Sequence, residues 1–348
     1  MKKIFLLFLF PLAAICQTRC VEPLTVPNAR RIMNLTTTPF GYTKNVSIYF
    51  ECCYDIYLYC NSDTAQVRTF VVERFEEVKK LYKADSVIVS IDSIGVWTTP
   101  EPYPLTSSSA ALLAFGDRMA ITKPTADCSH LLSITPNNLG GISYLGAIGQ
   151  DKRYSVSFSN IYTQYLLYPN YSWSIEVIAH EMGHMLNLQH THNCNWLFPD
   201  GSRHPIDTCW YVEGNCDSTH STHPITGTVQ SYCHLNGSID FTLGWGILPQ
   251  NVMRQYIWDC YNAGLLKNPD LCNTPAVTLS GNTVSWGTAG IFKYRYKKKG
   301  DLLWSAAFQT LSGSVVLPLA ANTYYYFQLK RKCAGVWGTY QKTTFKTL

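Results

Sequence analysis

Residues 180–190 read HEMGHMLNLQH, three histidines and one glutamate in eleven positions. On a helix, residues four apart lie on one face a turn apart, so His180 and His184 can send imidazole nitrogens to one point. Glu181 sits beside them, where its carboxylate can reach a water at that point without being a ligand. Ten positions of continued helix would carry His190 about 15 Å past His180 and off the face, so the chain must turn between His184 and His190. Asn187 is placed to make that turn, because asparagine tolerates the left-handed region and terminates helices. The chemistry this pattern allows is zinc hydrolysis: neutral nitrogens hold the metal, an open position holds water, and a carboxylate takes the proton as the water attacks a carbonyl. A bare H-E-x-x-H arises by chance in on the order of one chain in a hundred of this length, and the third histidine lowers that by more than a further order of magnitude.

Outward from this segment, Trp173, Ile175, Val177, Ile178, Met182, Met185 and Leu186 supply the buried surface of a helix from Ser172 into Leu188. Upstream, NVSIYFECCYDIYLYC reads as a strand, Thr64–Lys83 as an amphipathic helix, SVIVSIDSIGVW as a strand and SSSAALLAFGDRMA as a serine-capped helix. SHLLSI, GGISYLGAI and YSVSFSNIY are further short strands. The fold class is therefore α/β or α+β, a mixed twisted sheet with helices, over residues 43–270. Residues 191–232 are rich in Cys, His, Pro, Gly and Asp without periodicity, a loop long enough to need stapling by cysteines. A helix from Pro249 to Ala263 and a linker, KNPDLCNTPA, precede residues 274–348, which alternate as a small all-β sandwich.

The 348 residues, 46% hydrophobic, have room for two domains with real cores, and this composition excludes a disordered chain. Lys2 and Lys3 followed by an apolar run from Ile4 to Ile15 give the layout of a secretory signal peptide, residues 1–16, with acylation of Cys16 as the competing reading. No later segment offers the roughly 20 apolar residues of a spanning helix. Removing Cys16 from the 13 cysteines leaves 12, an even number for an oxidising compartment. Cys209 with Cys216 and Cys260 with Cys272 are the closest pairs in sequence, and adjacent Cys52 and Cys53 would bond to different partners. From residue 273 onward ten basic residues face Asp301 alone, a balance of +9, whereas residues 17–272 hold 16 basic and 22 acidic residues, a balance of −6.

The segment is similar to the metzincin zinc peptidases, whose pattern is H-E-x-x-H-x-x-G-x-x-H, and more narrowly resembles the bacterial reprolysin-like, adamalysin-related (M12B-like) group. HTHNC after the third histidine, PIDTCWYVEGNC and GTVQSYCHLNGSIDFTLGWG carry the narrower match, which spans roughly residues 43–250. The resemblance implies one catalytic Zn2+ on His180, His184 and His190, Glu181 as general base, and polypeptide substrates. It also implies that GGISYLG, with Gly141, Ile142, Ser143 and Tyr144, is an edge strand that takes an extended peptide, against an ordinary interior strand. No reading of calcium follows from it.

This chain departs from the family at two positions. Asn187 replaces the turn glycine, and Gln230 replaces the Met-turn methionine beneath the metal, where an amide needs buried hydrogen-bond partners. Tyr232 stands where some metzincins carry a tyrosine that contacts zinc or the tetrahedral intermediate; the alternative is a packed core tyrosine. Residues 17–42 form a short N-terminal segment in which Cys20 is either a fourth ligand that holds the enzyme latent, released by a cut near Arg30 and Arg31, or one half of a disulfide.

Residues 274–348 resemble a fibronectin type III domain, with Trp286 early and Tyr325, Phe327 and Leu329 on one alternating face. Lys297–Lys299 and Lys330–Lys332 would hold an anionic surface or glycan, or else keep strand edges from aggregating; no nucleic-acid motif accompanies them. The leading expectation is a secreted or cell-surface zinc endopeptidase of bacterial type. The competing expectations are an adhesin on a failed peptidase scaffold and a zinc amidase acting on another bond.

Overall fold

A computed structural model of the chain describes residues 20–25, 43–266, 277–287, 290–333, 336–337 and 340–347. The signal at 1–16, the cut site at Arg30 and Arg31, and the linker residues from 267 to 276 lie outside the described residues.

A short strand β1 (Leu24–Thr25) precedes β2 (Asn45–Cys52), α1 (Tyr54–Tyr59), α2 (Thr64–Ala84), β3 (Ile88–Val96), α3 (Ser108–Thr122), β4 (Cys128–Ser133), β5 (Gly141–Leu145), β6 (Val156–Asn160) and α4 (Trp173–Met185). One six-stranded sheet runs β1-β5-β6-β4-β2-β3. β5 is antiparallel to β6, while β1 lies parallel to β5 and the remaining neighbours are parallel. This is the mixed α/β class read from the pattern.

Alternation divides the sheet into two faces. Leu131, Ile142, Val156 and Phe158 meet α3 through Ala111, Leu112, Phe115 and Met119. Val46, Ile48, Phe50 and Leu132 share the opposite core with Val67, Val71, Phe75 and Val78 of α2 and with α4. Each face is covered, so the strands β2, β4, β5 and β6 are buried almost throughout, while β3 at the edge is mostly half-buried. Ser107 caps α3 by accepting from Ala110 N at 3.1 Å, and Asp63 caps α2 by accepting from Ala65 N at 2.7 Å.

One segment departs from expectation. The stretch read as a continuous strand through Cys60 ends at Cys52, and Tyr54–Tyr59 is a helix. The aromatic residues suggested a strand, but the Asp55 carboxylate accepts from Ile56 N at 2.7 Å and from Ile134 N at 2.8 Å, turning the chain at the end of β4. Local side-chain bonding of aspartate competes with strand pairing in this way.

After α4 the chain contains β7 (Thr226–Gly227) and β8 (Ser238–Ile239), which pair with each other, then α5 (Ile247–Asn262). Small antiparallel sheets follow: β9 (Thr278–Ser280), β10 (Thr283–Ser285) and β13 (Ser314–Val316) in one, β11 (Phe292–Lys298), β12 (Phe308–Thr310), β14 (Tyr324–Cys333), β15 (Val336–Trp337) and β16 (Gln341–Lys346) in the other. Their shared core holds Val284, Trp286, Phe292, Phe327 and Leu329.

The long loop is stapled, as its composition suggested, but by Cys194–Cys216 and Cys209–Cys233 rather than by Cys209–Cys216. A pairing of nearest cysteines fails because the loop folds back on the Met-turn region, which brings residue 233 to residue 209. Among the described residues Cys20, Cys52, Cys53, Cys60, Cys128 and Cys260 are buried free thiols, so adjacent Cys52 and Cys53 take no partner there; Cys272, the expected partner of Cys260, lies outside the described residues.

Candidate metal centre

Helix α4 is buried on every side, the mark of a helix inside a core rather than on its surface. The Tyr82 hydroxyl donates to the Ala179 carbonyl at 2.8 Å, tying α2 to it. The helix stops where the sequence suggested. Asn187 adopts φ 72°, Asn187 N donates to His184 O at 2.9 Å, and Leu188 N donates to Gly183 O at 3.0 Å. Gly146 N and Ala147 N, just past β5, donate to the carbonyls of His184 and Met185 at 2.9 and 3.0 Å, satisfying two helix-end acceptors.

That turn brings His190 back to His184. The Nε2 atom of His184 lies 3.1 Å from that of His180 and 3.2 Å from that of His190. Each ring is fixed by a bond on its other nitrogen: His180 Nδ1 donates to Val229 O at 2.9 Å, His184 Nδ1 to Leu188 O at 2.6 Å, and His190 Nδ1 to Glu213 Oε1 at 2.7 Å. Carbonyls only accept, so the proton sits on Nδ1 and the Nε2 lone pairs converge. Three facing lone pairs repel one another unless a cation lies among them. Tetrahedral bonds of 2.0–2.1 Å to zinc would separate such nitrogens by roughly 3.3 Å, so the donor set fits a zinc ion. Burial first, and then neighbouring imidazoles, hold His180 and His184 well below the usual histidine value, and burial brings His190 down to about 4. The neutral form is the one that binds metal.

Around this centre the other expected residues gather. The Glu181 carboxylate is fully buried beside the Cys20 thiol, and burial pushes it well above the usual carboxyl range even though the thiol's hydrogen bond opposes that shift. Gly141 lies against it so closely that a Cβ there would collide with the carboxylate. The Cys20 sulfur lies within 4.8 Å of ligand atoms of His180 and Glu181. Val21 N donates to Gly141 O at 2.8 Å and Leu24 pairs with Tyr144, so residues 20–25 run along β5. Without them β5, with Gly141, Ile142, Ser143 and Tyr144, is the edge of the sheet; Gly141 lies against Glu181, while Ile142 and Tyr144 pack into the core under α3. Tyr232 packs its ring 4.5 Å from that of His190 and donates its hydroxyl to the Cys20 carbonyl.

Gln230 lies beneath the histidines and is fully buried. Its Nε2 donates to the His180 carbonyl at 3.3 Å and rests 3.1 and 3.2 Å from the two ring nitrogens of His184, against the ring. Its Oε1 accepts from Trp245 Nε1 at 3.2 Å. The amide thus has the partners that burial demands.

The family model Reprolysin_5, metallo-peptidase family M12, matches residues 42–236. The chain belongs to metallo-peptidase family M12. Two solved structures are similar to this M12 chain at low identity. One, described as the structure of a chaperone-substrate complex, shares 14% identity over 63% of this chain and 36% of that one, with a TM-score of 0.38. The other, metalloproteinase-II from Bacteroides fragilis, shares 13% over 51% of this chain and 50% of that one, with a TM-score of 0.31. The M12 chain spans about a third of the first and half of the second.

Three residues of the M12 centre escaped sequence reading. Glu213 accepts from His190, lies 3.3 Å from His192 Nε2, and accepts from Asn193 Nδ2 at 3.1 Å. Burial pushes its carboxyl up, but bonds from His190 and His192 outweigh burial and hold it well below the usual range. Trp245 answers Gln230. Glu176, one turn before His180, is fully buried with both oxygens unpartnered. Position 213 gave no signal because a glutamate in an aperiodic loop resembles any solvated acid; the HTH of residues 190–192 was the available hint that an anion lay nearby.

Proposed function

We propose that the chain is a zinc endopeptidase that hydrolyses peptide bonds of polypeptides. The observation that carries the reading is the convergence of three neutral Nε2 atoms beside the buried carboxylate of Glu181, in a chain of family M12. His180, His184 and His190 would hold the ion, which when bound supplies Lewis acidity at the substrate carbonyl. Glu181 takes a proton from the attacking water, the water oxygen bonds to the carbonyl carbon, and the C–N bond breaks as Glu181 returns that proton to the amine. Residues 141–144 pair with the extended substrate as an added strand. Tyr232, freed from Cys20, offers its hydroxyl to the oxygen that gains negative charge.

Residues 20–25 occupy the same edge, with Cys20 against Glu181 and a Tyr232 hydroxyl engaged by its carbonyl. Cys20 would therefore act as the latency ligand, and the exported chain would become active when this segment leaves. The failed-peptidase alternative lost its main motive, since Gln230 is hydrogen-bonded rather than orphaned. Alternation sets Lys293, Arg295, Lys297, Lys330, Lys342 and Lys346 on one sheet face, the place where an anionic surface or glycan would be held.

The test is peptide hydrolysis by the zinc-loaded chain, before and after limited trypsin digestion. Cleavage that a chelator abolishes and zinc restores, and that Cys20→Ala raises in the undigested chain, is the expected result. Zinc-loaded, digested protein that cleaves no peptide contradicts the reading.

A further inference from the structure

Helix α4 buries two carboxylates, Glu181 facing the Cys20 thiol and Glu176 without a hydrogen-bond partner, and hydrolysis uses only the first. Glu181 has its work at the scissile bond. Glu176 has none: its Oε1 lies 3.6 Å from His180 Nδ1, beyond a hydrogen bond, and that nitrogen already donates to Val229 O at 2.9 Å. An acid side chain that is fully buried and unanswered is expensive to keep, and such groups concentrate where a ligand completes them. Its nearest ionisable neighbour is His180, held neutral by burial with its Nδ1 proton given to Val229 O; the others that feel its charge are Glu181, Cys20, Tyr171 and Tyr232, and none of these is a lysine or arginine. A donor-rich, positively charged partner must come from outside the described fold.

Position narrows the partner further. Glu176 precedes His180 by one turn on the same face of α4, about 6 Å along its axis, and comes within 3.6 Å of that ring, which is within reach of a long side chain on a residue flanking the scissile bond. The Cys20 sulfur lies within 4.8 Å of ligand atoms of Glu181 and of His180, the ring that Glu176 approaches at 3.6 Å, so residues 20–25 sit over this part of the site. Departure of residues 20–25 would open it.

We propose that Glu176 is a specificity-determining residue that accepts the ammonium or guanidinium group of a substrate lysine or arginine next to the scissile bond. The inference rests on the peptidase reading for its substrate, and binding can be measured apart from cleavage. The probes are peptide hydroxamates identical except for lysine or leucine at the residue flanking the chelating group, on either side. They are titrated into the zinc-loaded chain after limited trypsin digestion, alongside a cleavage assay on peptides with the same substitutions.

The lysine hydroxamate should bind at least tenfold more tightly than its leucine twin on one side of the chelating group. Glu176→Leu should remove or reverse that preference, and the nearly isosteric Glu176→Gln should reduce it, while each variant keeps its zinc. Equal or tighter binding of leucine to wild type on both sides overturns the proposal, as does a lysine preference that survives in both variants. Lysine-selective binding without peptide cleavage supports Glu176 and contradicts the peptidase reading. Cleavage without any basic preference does the reverse.

Discussion

The Nε1–H of Trp245 donates to Oε1 of Gln230 at 3.2 Å, so a residue just beyond the matched M12 region, 42–236, answers an amide beneath the histidines. Gly183 makes room for the pair, because a Cβ there would stand 2.5 Å from Gln230 Oε1 and 3.1 Å from Trp245 Nε1. Gln230→Met leaves the indole without an acceptor, and Trp245→Phe leaves the amide carbonyl without a donor. Each should cost about 1–3 kcal/mol of stability. The double variant removes donor and acceptor together and should cost less than the sum by about 1 kcal/mol, a coupling that urea denaturation of the four proteins measures. Strict additivity would show that the two groups do not interact.

Glu213 holds His190 through its Nδ1–H at 2.7 Å and so keeps the tautomer whose Nε2 faces the other histidines. Glu213→Ala should weaken zinc binding by about 10- to 100-fold, read by competition with a chromophoric chelator. Glu213→Gln, which can still accept one bond, should lose less. Unchanged zinc affinity in Glu213→Ala would mean that His190 needs no such support.

The sequence made the centre legible where chemistry and spacing coincide. HEMGHMLNLQH pointed to three histidines that would meet, a glutamate beside them and a turn at Asn187; the structure brings the three rings together and gives Asn187 φ 72°. The helices α2, α3 and α4 followed from apolar periodicity, α3 also from its capping serine. What escaped was whatever depends on chain segments meeting across a long separation. Nothing local to Glu213, Trp245 or Glu176 distinguishes them from a loop acid, a core indole or a first-turn helix acid. The partner of Cys209 was hidden for the same reason. Tyr54–Tyr59 was misread because three tyrosines outweighed one aspartate in the pattern.

The Cys194–Cys216 bridge ties the start of the loop to the stretch that carries Glu213, and Cys194 N donates to Glu213 O at 2.9 Å. A link across 22 residues restricts the unfolded chain by about 3 kcal/mol in the chain-entropy account. Replacing both cysteines by serine should lower stability by about that amount and weaken zinc binding in the same direction as Glu213→Ala. A variant with reduced stability but unchanged zinc affinity would separate the staple from the metal centre.

His130 is fully buried between Ser157 and Ser159, with each ring nitrogen 2.8 Å from a hydroxyl oxygen, and burial lowers its pKa to about 3. The unfolded chain, with an ordinary value of about 6.5, takes up a proton first as pH falls. Stability from this group is therefore complete above about pH 6.5 and is lost progressively toward pH 3, by about 2 kcal/mol at pH 5. Denaturation at pH 7 and pH 5 should show a loss in wild type that shrinks by about that amount in His130→Asn. Equal losses in the two proteins would assign the acid sensitivity to other groups.

The central claim is that Glu181 performs proton transfer at a zinc ion held by His180, His184 and His190. The most direct measurement compares hydrolysis of a quenched peptide library by wild type and Glu181→Ala, with zinc content determined for each after removal of the segment that contains Cys20. The account predicts one zinc per chain in both proteins, cleavage by wild type, and a loss of about 100-fold or more in Glu181→Ala. Full zinc occupancy with equal cleavage by the two proteins, or with none by wild type, would contradict it.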